Sequence, residues 1–546
     1  MVKALIVDCL GCGKGKRYAT IDVIGVGPRA VAGVLESKNI KYTLITSEDL
    51  LKHPRVMEDY DILLTSAMIS DIVCAKNIAL LWKKISNGIA LLGGPITAKP
   101  RLVAELGYDI GVLGEGEYVL DKLFSRGIIH KDAEDLIELV NKLSGLIINI
   151  KGKVYSTGVA KYLTHEQLNR YKPSTRAIKY YPIYWASRVY VEVVRGCSNF
   201  YRTTIMLPDG RKCTNCNICR RGDLEERLRC PISIPPGCGY CSVPMLYGPP
   251  RSKLIDNIVN EIRDLIKIGV NRIVLSAPDF LDYGRDLIVY PKPLTNPRIP
   301  PANIELIEEL LGRLHEIPEI ASREVSLMIE NIKPNLLTEK VARILGKYLK
   351  NTTVHLGVET GDPEHCKILG RPNTVDEAIK AVKLLVKYGL RPYVYFIHGL
   401  PGQSPTTINN TIKVMDIMFN LGAEKITIYR FRPLPLSAFE GFPPSPPAIE
   451  NELSKKLYLK ARELNIKAKK RMIGKVFKAI VVSTYPPNKN FMVTYPLNHG
   501  PVILVPRGSN VRKKSLVEVI VREVINDRLV KGEIIKLIRK LSVQPF

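Results

Sequence analysis

Apolar and polar positions follow two periods along this chain. Near the amino end, KALIVDC is an unbroken apolar run of the kind a strand buried on both faces requires. GPRAVAGVLESKNIKYTLI then reads as helix followed by strand, and DYDILLTSAM and IALLGGPITAKP supply two further strands. Strand and helix in alternation predict an α/β doubly wound domain, with glycine turns at Gly25 to Gly27 and Gly93 to Gly94 where a ligand could approach the backbone. In the middle of the chain the amphipathic helix IDNIVNEIRDLIKI precedes the strand and loop GVNRIVLSAPDF. VHLGVETGDPE and YVYFIHGLPGQS are two more apolar runs ending in polar loops. Between them lies a helix with Thr374 as N-cap and Gly389 as its stop. This alternation predicts a parallel sheet with helices outside and ligand loops at the strand carboxyl ends. Beyond the proline-rich FRPLPLSAFEGFPPSPP and the helical ENELSKKLYLKARELN come short β-rich runs, IGKVFKAIVVS, NFMVTYP, GPVILVPRG and LVEVIVREVI, the pattern of a small barrel.

At roughly 100 to 200 residues per domain, 546 residues suggest three or four domains. The expected boundaries are 1–135 for the α/β domain, 136–188 for a connector, 189–450 for the core, 451–470 for a helical linker, 471–534 for the barrel and 535–546 for a tail. No internal repeat and no long low-complexity tract is present.

Charge narrows the partners. The chain holds 80 Lys or Arg against 53 Asp or Glu, a net +27, and residues 467–532 alone hold 14 basic and 3 acidic side chains. Such an excess favours phosphate polymers, so RNA (tRNA or rRNA) is the expected partner. On the barrel, Lys489, Phe491, Tyr495, Arg507, Arg512, Lys513 and Lys514 are the candidates for backbone contact and base stacking. No window approaches the ~20 consecutive apolar residues of a spanning helix, so no membrane partner is expected. The opening MVKALIVDCL has no charged n-region, apolar h-region or cleavage site, which points to a reducing, cytoplasmic compartment and against disulfides.

The cysteines carry the chemistry. Seven of eleven fall between Cys197 and Cys241. Thiolates select zinc or iron–sulfur clusters, and C-x2-C lets two sulfurs of one turn reach one metal. Seven exceed one site. The simplest partition is a closed set, Cys213, Cys216, Cys219 and Cys230, and an open set, Cys197, Cys238 and Cys241, in which a [4Fe-4S] cluster would keep one iron free. Cys230, Cys238 and Cys241 form a rival triad. The closed set suits an auxiliary cluster or zinc equally. Cys9, Cys12, Cys74 and Cys366 read as buried small apolar residues.

EVVRGC and GCGYCSVP resemble the cluster motif of the radical S-adenosylmethionine (radical SAM) superfamily, split by an insertion at 198–237. Tyr240 matches the aromatic that precedes the last cysteine. The resemblance implies a partial β/α barrel core, a [4Fe-4S] cluster, SAM as co-substrate, and an electron donor such as ferredoxin or flavodoxin. It further implies that Glu359 contacts the ribose or amino group of SAM, that Ser276 to Asp279 lie near its methionine end, and that Gly399 and Gly402 help hold it. GPRAVAGVLE, LLGGP and VLGEGE resemble the cobalamin-binding domain that precedes many such cores, although Leu10 stands where a cobalt-ligating histidine is found in some families. The carboxyl-terminal module resembles the TRAM domain, an OB-like RNA-binding barrel. Three functions follow as expectations: a radical SAM enzyme modifying RNA by methyl or methylthio transfer, a cobalamin-dependent methylase of a small molecule or lipid, and a non-catalytic zinc-containing RNA-binding protein.

Overall fold

The computed structural model describes residues 2–12, 21–86, 88–125, 142–508 and 512–541. Numbered along the chain, the first strands are β1 (Lys3–Asp8), β2 (Val23–Ile24), β3 (Lys41–Thr46), β4 (Ile62–Ser66), β5 (Ile89–Gly93) and β6 (Ile110–Val112). Apart from β2 they form one parallel sheet in the order β3-β1-β4-β5-β6. The two-residue period of β1 explains its unbroken apolar run: Ala4 and Ile6 face the helix Gly27–Ser37, while Leu5 and Val7 pack with Cys74, Ala75 and Ile78 of the helix Ile72–Ile85 on the opposite face.

The sheet does not stop where the α/β domain was expected to end. Residue 135 lies outside the described residues, and β7 (Leu146–Ile150) and β8 (Lys153–Ser156), inside the expected connector, add antiparallel to β6. Lys151 (φ 48°) and Gly152 (φ 88°) join them in a two-residue turn with both φ positive, whose twist matches that of a hairpin.

The core consists of β9 (Arg188–Glu192), the short antiparallel pair β10 (Val194–Arg195) and β11 (Arg251–Ser252), and then β12 (Arg272–Ser276), β13 (Ser326–Ile329), β14 (Asn331–Ile332), β15 (Thr353–Glu359), β16 (Arg391–His398) and β17 (Lys425–Arg430). Two parallel groups, β2-β9-β12-β13 and β14-β15-β16-β17, meet at Glu330, the one residue between β13 and β14. Helices cover the outside. Ile255–Ile268 buries Ile258, Val259, Ile262, Leu265 and Ile268, one face at helical spacing, and Val375–Lys387 starts at the Thr374 cap. Both edges of this open sheet are occupied. On one side β2 pairs with β9, held by Asp22, which sits 2.9 Å from Arg272 and 3.2 Å from Arg188. On the other, Asn465 of the helix Glu452–Lys470 accepts from Ile426 N at 2.9 Å and donates to Ile426 O at 2.7 Å, replacing a neighbouring strand.

The carboxyl-terminal strands β18 (Val476–Thr484), β19 (Phe491–Pro496), β20 (Val502–Pro506), β21 (Ser515–Val524) and β22 (Leu529–Lys540) close into a barrel around Ala479, Val481, Ile503, Val517 and Val519. The expected tail at 535 is thus still strand, and residues 542–546 lie outside the described residues.

The barrel docks on the amino ends of the core strands. Arg272 donates to Leu497 O at 3.3 Å, Ser326 to Asn498 Oδ1 at 2.8 Å, and Arg391 to Asn498 O at 2.8 Å, while Thr353 Oγ1 and His499 Nδ1 are 3.0 Å apart. Each of these core residues is the first of its strand. Among the described residues no helix is long and apolar enough to cross a membrane.

Candidate active site

The opposite ends of the same strands carry the cysteine loops. After β9 and β10 the chain turns at Gly196 (φ 94°), where a Cβ would lie 2.2 Å from Pro249 O, and Cys197 N donates to Gly248 O. Only glycine allows that approach. Gly239 is fixed in the same way: a Cβ there would lie 2.3 Å from the Phe439 ring. The first of these contacts ties the leading half of the split motif to the chain just beyond the second half. Asn199 is the bracket between them, with its N–H 3.4 Å from Cys197 Sγ and its Nδ2 3.2 Å from Cys238 Sγ and 3.0 Å from Gly370 O. Burial pushes the Cys197 thiol up, and burial together with Cys238 and Cys197 pushes Cys241 up to about 12. Cys197 thus lies close enough to Cys238 to feel it, and Cys241 close enough to feel the other two.

Arg371, which sequence reasoning passed over, organises the polar side of this loop. Its Nη1 lies 2.9 Å from the Tyr240 hydroxyl, 3.8 Å from Cys238 Sγ and 3.5 Å from Glu359, and its Nη2 donates to Asn373 Oδ1 at 2.8 Å and to Gly357 O. Glu359 ends β15 in a left-handed conformation (φ 68°) beyond an irregularity in its pairing with β16, and burial pushes its carboxyl up against the opposing pull of Arg371. A non-glycine residue held there stores backbone strain. Tyr240 and Glu359 are thereby brought to one guanidinium.

A second polar group borders Cys197. Ser276 closes β12, its carbonyl accepting from Val193 N at 2.9 Å. Asp279 accepts from Lys333 N at 2.9 Å. Lys333 Nζ reaches Asp282 at 2.7 Å, Ser198 Oγ at 2.8 Å and Asp279 at 3.3 Å, and Arg285 closes on Asp282. Burial lifts the Asp279 carboxyl to about 6, against the pull of Lys333. Burial alone would lower the Lys333 ammonium, but Asp282, Cys197 and Asp279 outweigh it and hold it above its ordinary value. Lys333, Asp282 and Ser198 were absent from the sequence reading, since nothing in local spacing joins them. Gly399 (φ 73°) and Gly402 (φ 82°) shape a turn pinned by Gln403, which accepts from Gly399 N at 2.6 Å; a Cβ on Gly399 would meet Ser445 at 2.1 Å.

The four remaining cysteines of the insertion stand apart from the triad around a cavity of 480 Å³. Among the described residues no three His, Cys, Asp or Glu side chains stand at single-ion spacing. Cys9, Cys12 and Cys74 are fully or almost fully buried in the amino-terminal core, with Cys12 Sγ 3.2 Å from Ser47 Oγ. On the barrel, Lys489, Arg507, Arg512 and Lys513 are exposed and Phe491 half-buried under Lys531. Lys514 is exposed too, its ammonium 6.0 Å from the Trp185 ring, while Tyr495 is half-buried against Arg272.

A profile described as the radical SAM superfamily matches residues 229–415, which hold Cys238, Cys241, Asp279, Lys333, Glu359 and Arg371. The chain belongs to the radical SAM superfamily. It is 40% identical over 542 residues to an uncharacterized protein of Methanopyrus kandleri, covering 99% of this chain and 97% of that one. It is 28% identical over 250 residues to the ribosomal protein uS12 methylthiotransferase RimO of Carboxydothermus hydrogenoformans, 45% of this chain and 52% of that one. Among solved structures, the radical SAM methyltransferase TsrM from Kitasatospora setae, with cobalamin and a [4Fe-4S] cluster bound, superposes with a TM-score of 0.58 at 15% identity, covering 81% of this chain and 74% of that one. The cobalamin-dependent radical SAM enzyme OxsB superposes with a TM-score of 0.53 at 13% identity, covering 76% and 52%. The architecture of this radical SAM enzyme is therefore that of the cobalamin-dependent type.

Its residues fit a cluster and SAM: three thiols converge, with polar groups of both charge signs beside them. A second cavity, of 240 Å³, opens at the carboxyl ends of β1, β4, β5 and β6 and is lined by Gly27, Gly93, Gly94, Gly114 and Gly116. Leu10 (φ 53°) offers no ligand atom. The cavity wall toward the core is tied by Arg195 to Glu117 at 2.7 Å and to Glu192 at 2.7 Å, and by Arg251 to Glu115.

Proposed function

We propose that this radical SAM enzyme modifies RNA by transferring a methyl or methylthio group, with Cys197, Cys238 and Cys241 as the ligands of its SAM-binding cluster. The observation that carries the reading is that Asn199 bridges Cys197 and Cys238, with Cys241 beside both and the Arg371 group next to them. The profile match begins after Cys197 and takes in the rival Cys230. Cys197 is favoured because Asn199 touches its sulfur and that of Cys238, whereas Cys230 lines the separate cavity of the insertion.

Cluster and SAM, when bound, supply one-electron cleavage of a carbon–sulfur bond and hydrogen abstraction from the substrate. The protein's own contribution is position and charge. Arg371 and Glu359 would orient the polar end of SAM through the hydroxyl of Tyr240. Lys333 offers a fixed cation beside Cys197, and Asp279 a carboxyl able to exchange a proton near neutrality. Glu359 and Lys333 stand at the ends of neighbouring strands, so the site is held by rigid elements.

Transfer chemistry is supported by relatives named methylthiotransferase and methyltransferase, and RNA by the net charge of +27 and the exposed cations of the barrel. RimO is named for a ribosomal protein, which places ribosomal components beside free RNA among the substrates to test. Because the barrel sits at the amino ends of the core strands, it would anchor a long substrate from below rather than hand a base directly to the site.

The test is anaerobic reconstitution followed by dithionite-dependent formation of 5′-deoxyadenosine, in the wild type and in Cys241→Ala. Wild-type turnover with the variant at background, and stimulation by total RNA, is expected. No cleavage by the reconstituted wild type would sink the catalytic reading, and stimulation by ribosomal protein alone the RNA reading.

A further inference from the structure

The insertion is built as a separate ligand shell. Cys213, Cys216 and Cys219 recur every three residues, and the chain between them passes through Asn215 (φ 55°) and Asn217 (φ 61°) in the left-handed region that asparagine tolerates. Left-handed residues alternating with right-handed or extended ones turn successive backbone N–H groups toward one side, the concavity found around phosphates and iron–sulfur clusters. Cys230, followed by Pro231, comes from beyond the helix Leu224–Leu228 to line the same cavity.

The four cysteines share one cavity, of 480 Å³, and among the described residues no trio of potential ligands reaches single-ion spacing. A zinc ion draws four thiolates to about 2.3 Å of one point, whereas a cluster spreads its ligands and fills more of such a space. Arg202, Arg220, Arg229, Lys367 and Arg371 also line the cavity, with Glu364 its one carboxylate, so the walls favour an anionic occupant. A cluster bound by four thiolates is such an anion.

We propose that this cavity is the site of a second [4Fe-4S] cluster, held by Cys213, Cys216, Cys219 and Cys230. With four protein ligands it leaves no iron open to SAM or substrate. It lies back to back with the first site across Gly370 and Arg371: both residues line its cavity, while Gly370 O accepts from Asn199 and Arg371 reaches Cys238. The site does not depend on the first triad binding a cluster.

The experiment reconstitutes the full chain anaerobically with iron and sulfide and measures iron, sulfide, zinc and the electron paramagnetic resonance of the reduced protein. The comparison is between the wild type, a variant with the four insertion cysteines changed to Ala, and one with Cys197→Ala, Cys238→Ala and Cys241→Ala. About eight iron per wild-type chain and about four in each variant is expected, with the SAM-induced spectral change kept in the first variant and lost in the second. Cys216, the exposed member, provides a milder variant should the fourfold change unfold the insertion: Cys216→Ser should shift the SAM-insensitive signal and leave the SAM-sensitive one in place. Four iron in the wild type, lost only with the triad, would overturn the second cluster, as would one zinc lost from the insertion with iron unchanged. Four iron lost only with the insertion cysteines would support the second cluster while removing the first.

Discussion

Arg371, largely shielded from solvent, reaches Tyr240, Cys238, Gly357 and Asn373, and Glu359 is the carboxylate that offsets its charge. Arg371→Gln should cost about 3 kcal/mol, the scale of breaking a buried ion pair from one side, read as a lower denaturation midpoint in the metal-free chain. Asp279 makes a different prediction. Burial lifts its carboxyl to about 6, with Lys333, Asp282 and Arg285 facing it, so the folded chain holds this proton more tightly than the unfolded one. Its contribution to stability must therefore fall as pH rises from about 4 to about 6, and stay level above. Asp279→Asn removes that slope. Denaturant titrations of the metal-free chain should show the variant gaining roughly 3 kcal/mol on the wild type across this window, and parallel curves would refute the assignment. Neither residue group was fully legible from sequence. The cysteines announce themselves by chemistry and spacing, whereas Tyr240 and Glu359 stand out only through the resemblance to the family. Arg371 and Lys333 are ordinary cations in loops, and only the fold shows which of the chain's 80 basic side chains are buried against a cysteine.

Among the elements, those with strong periodicity were readable and those defined by pairing were not. The core strands and the helix between Thr374 and Gly389 lie where their apolar spacing puts them. The hairpin at Lys151–Gly152 was read as connector because its turn lacks the asparagine that usually signals a positive φ. Two residues of β2 carry no period at all. The strand to Lys540 alternates, but its many exposed basic residues resemble a tail. Local geometry gives two tests. Gly239→Ala drives a methyl into Phe439 without removing a ligand, and should lower the iron bound by the reconstituted protein while Cys366→Ala does not. Asn465→Leu leaves the N–H and C=O of Ile426 buried and unpaired, at a cost of about 2 to 3 kcal/mol, visible as an earlier thermal transition.

For the whole molecule, the position of the small barrel matters more than its charge. Leu497, Asn498 and His499 satisfy the first residues of four core strands, so a chain ending at residue 474 should lose the cooperative unfolding of the core as well as the barrel, checked by comparing fluorescence and circular dichroism transitions. Replacing Lys489, Arg507, Arg512 and Lys513 by Ala should instead leave unfolding unchanged. RNA binding should weaken, and the slope of log affinity against log salt become shallower by about 0.7 to 0.9 for each phosphate contact removed. The two occupied edges of the core sheet bear on how the chain is made. Asp22 and β2 leave the ribosome before β9 exists and wait for it, whereas Asn465 follows its partner Ile426 by 39 residues. At about 5 to 20 residues per second, the outer backbone of β17 stays open for roughly 2 to 8 seconds of synthesis. A chaperone guarding the nascent core against strand-to-strand aggregation thus has one edge to cover, and only for that interval.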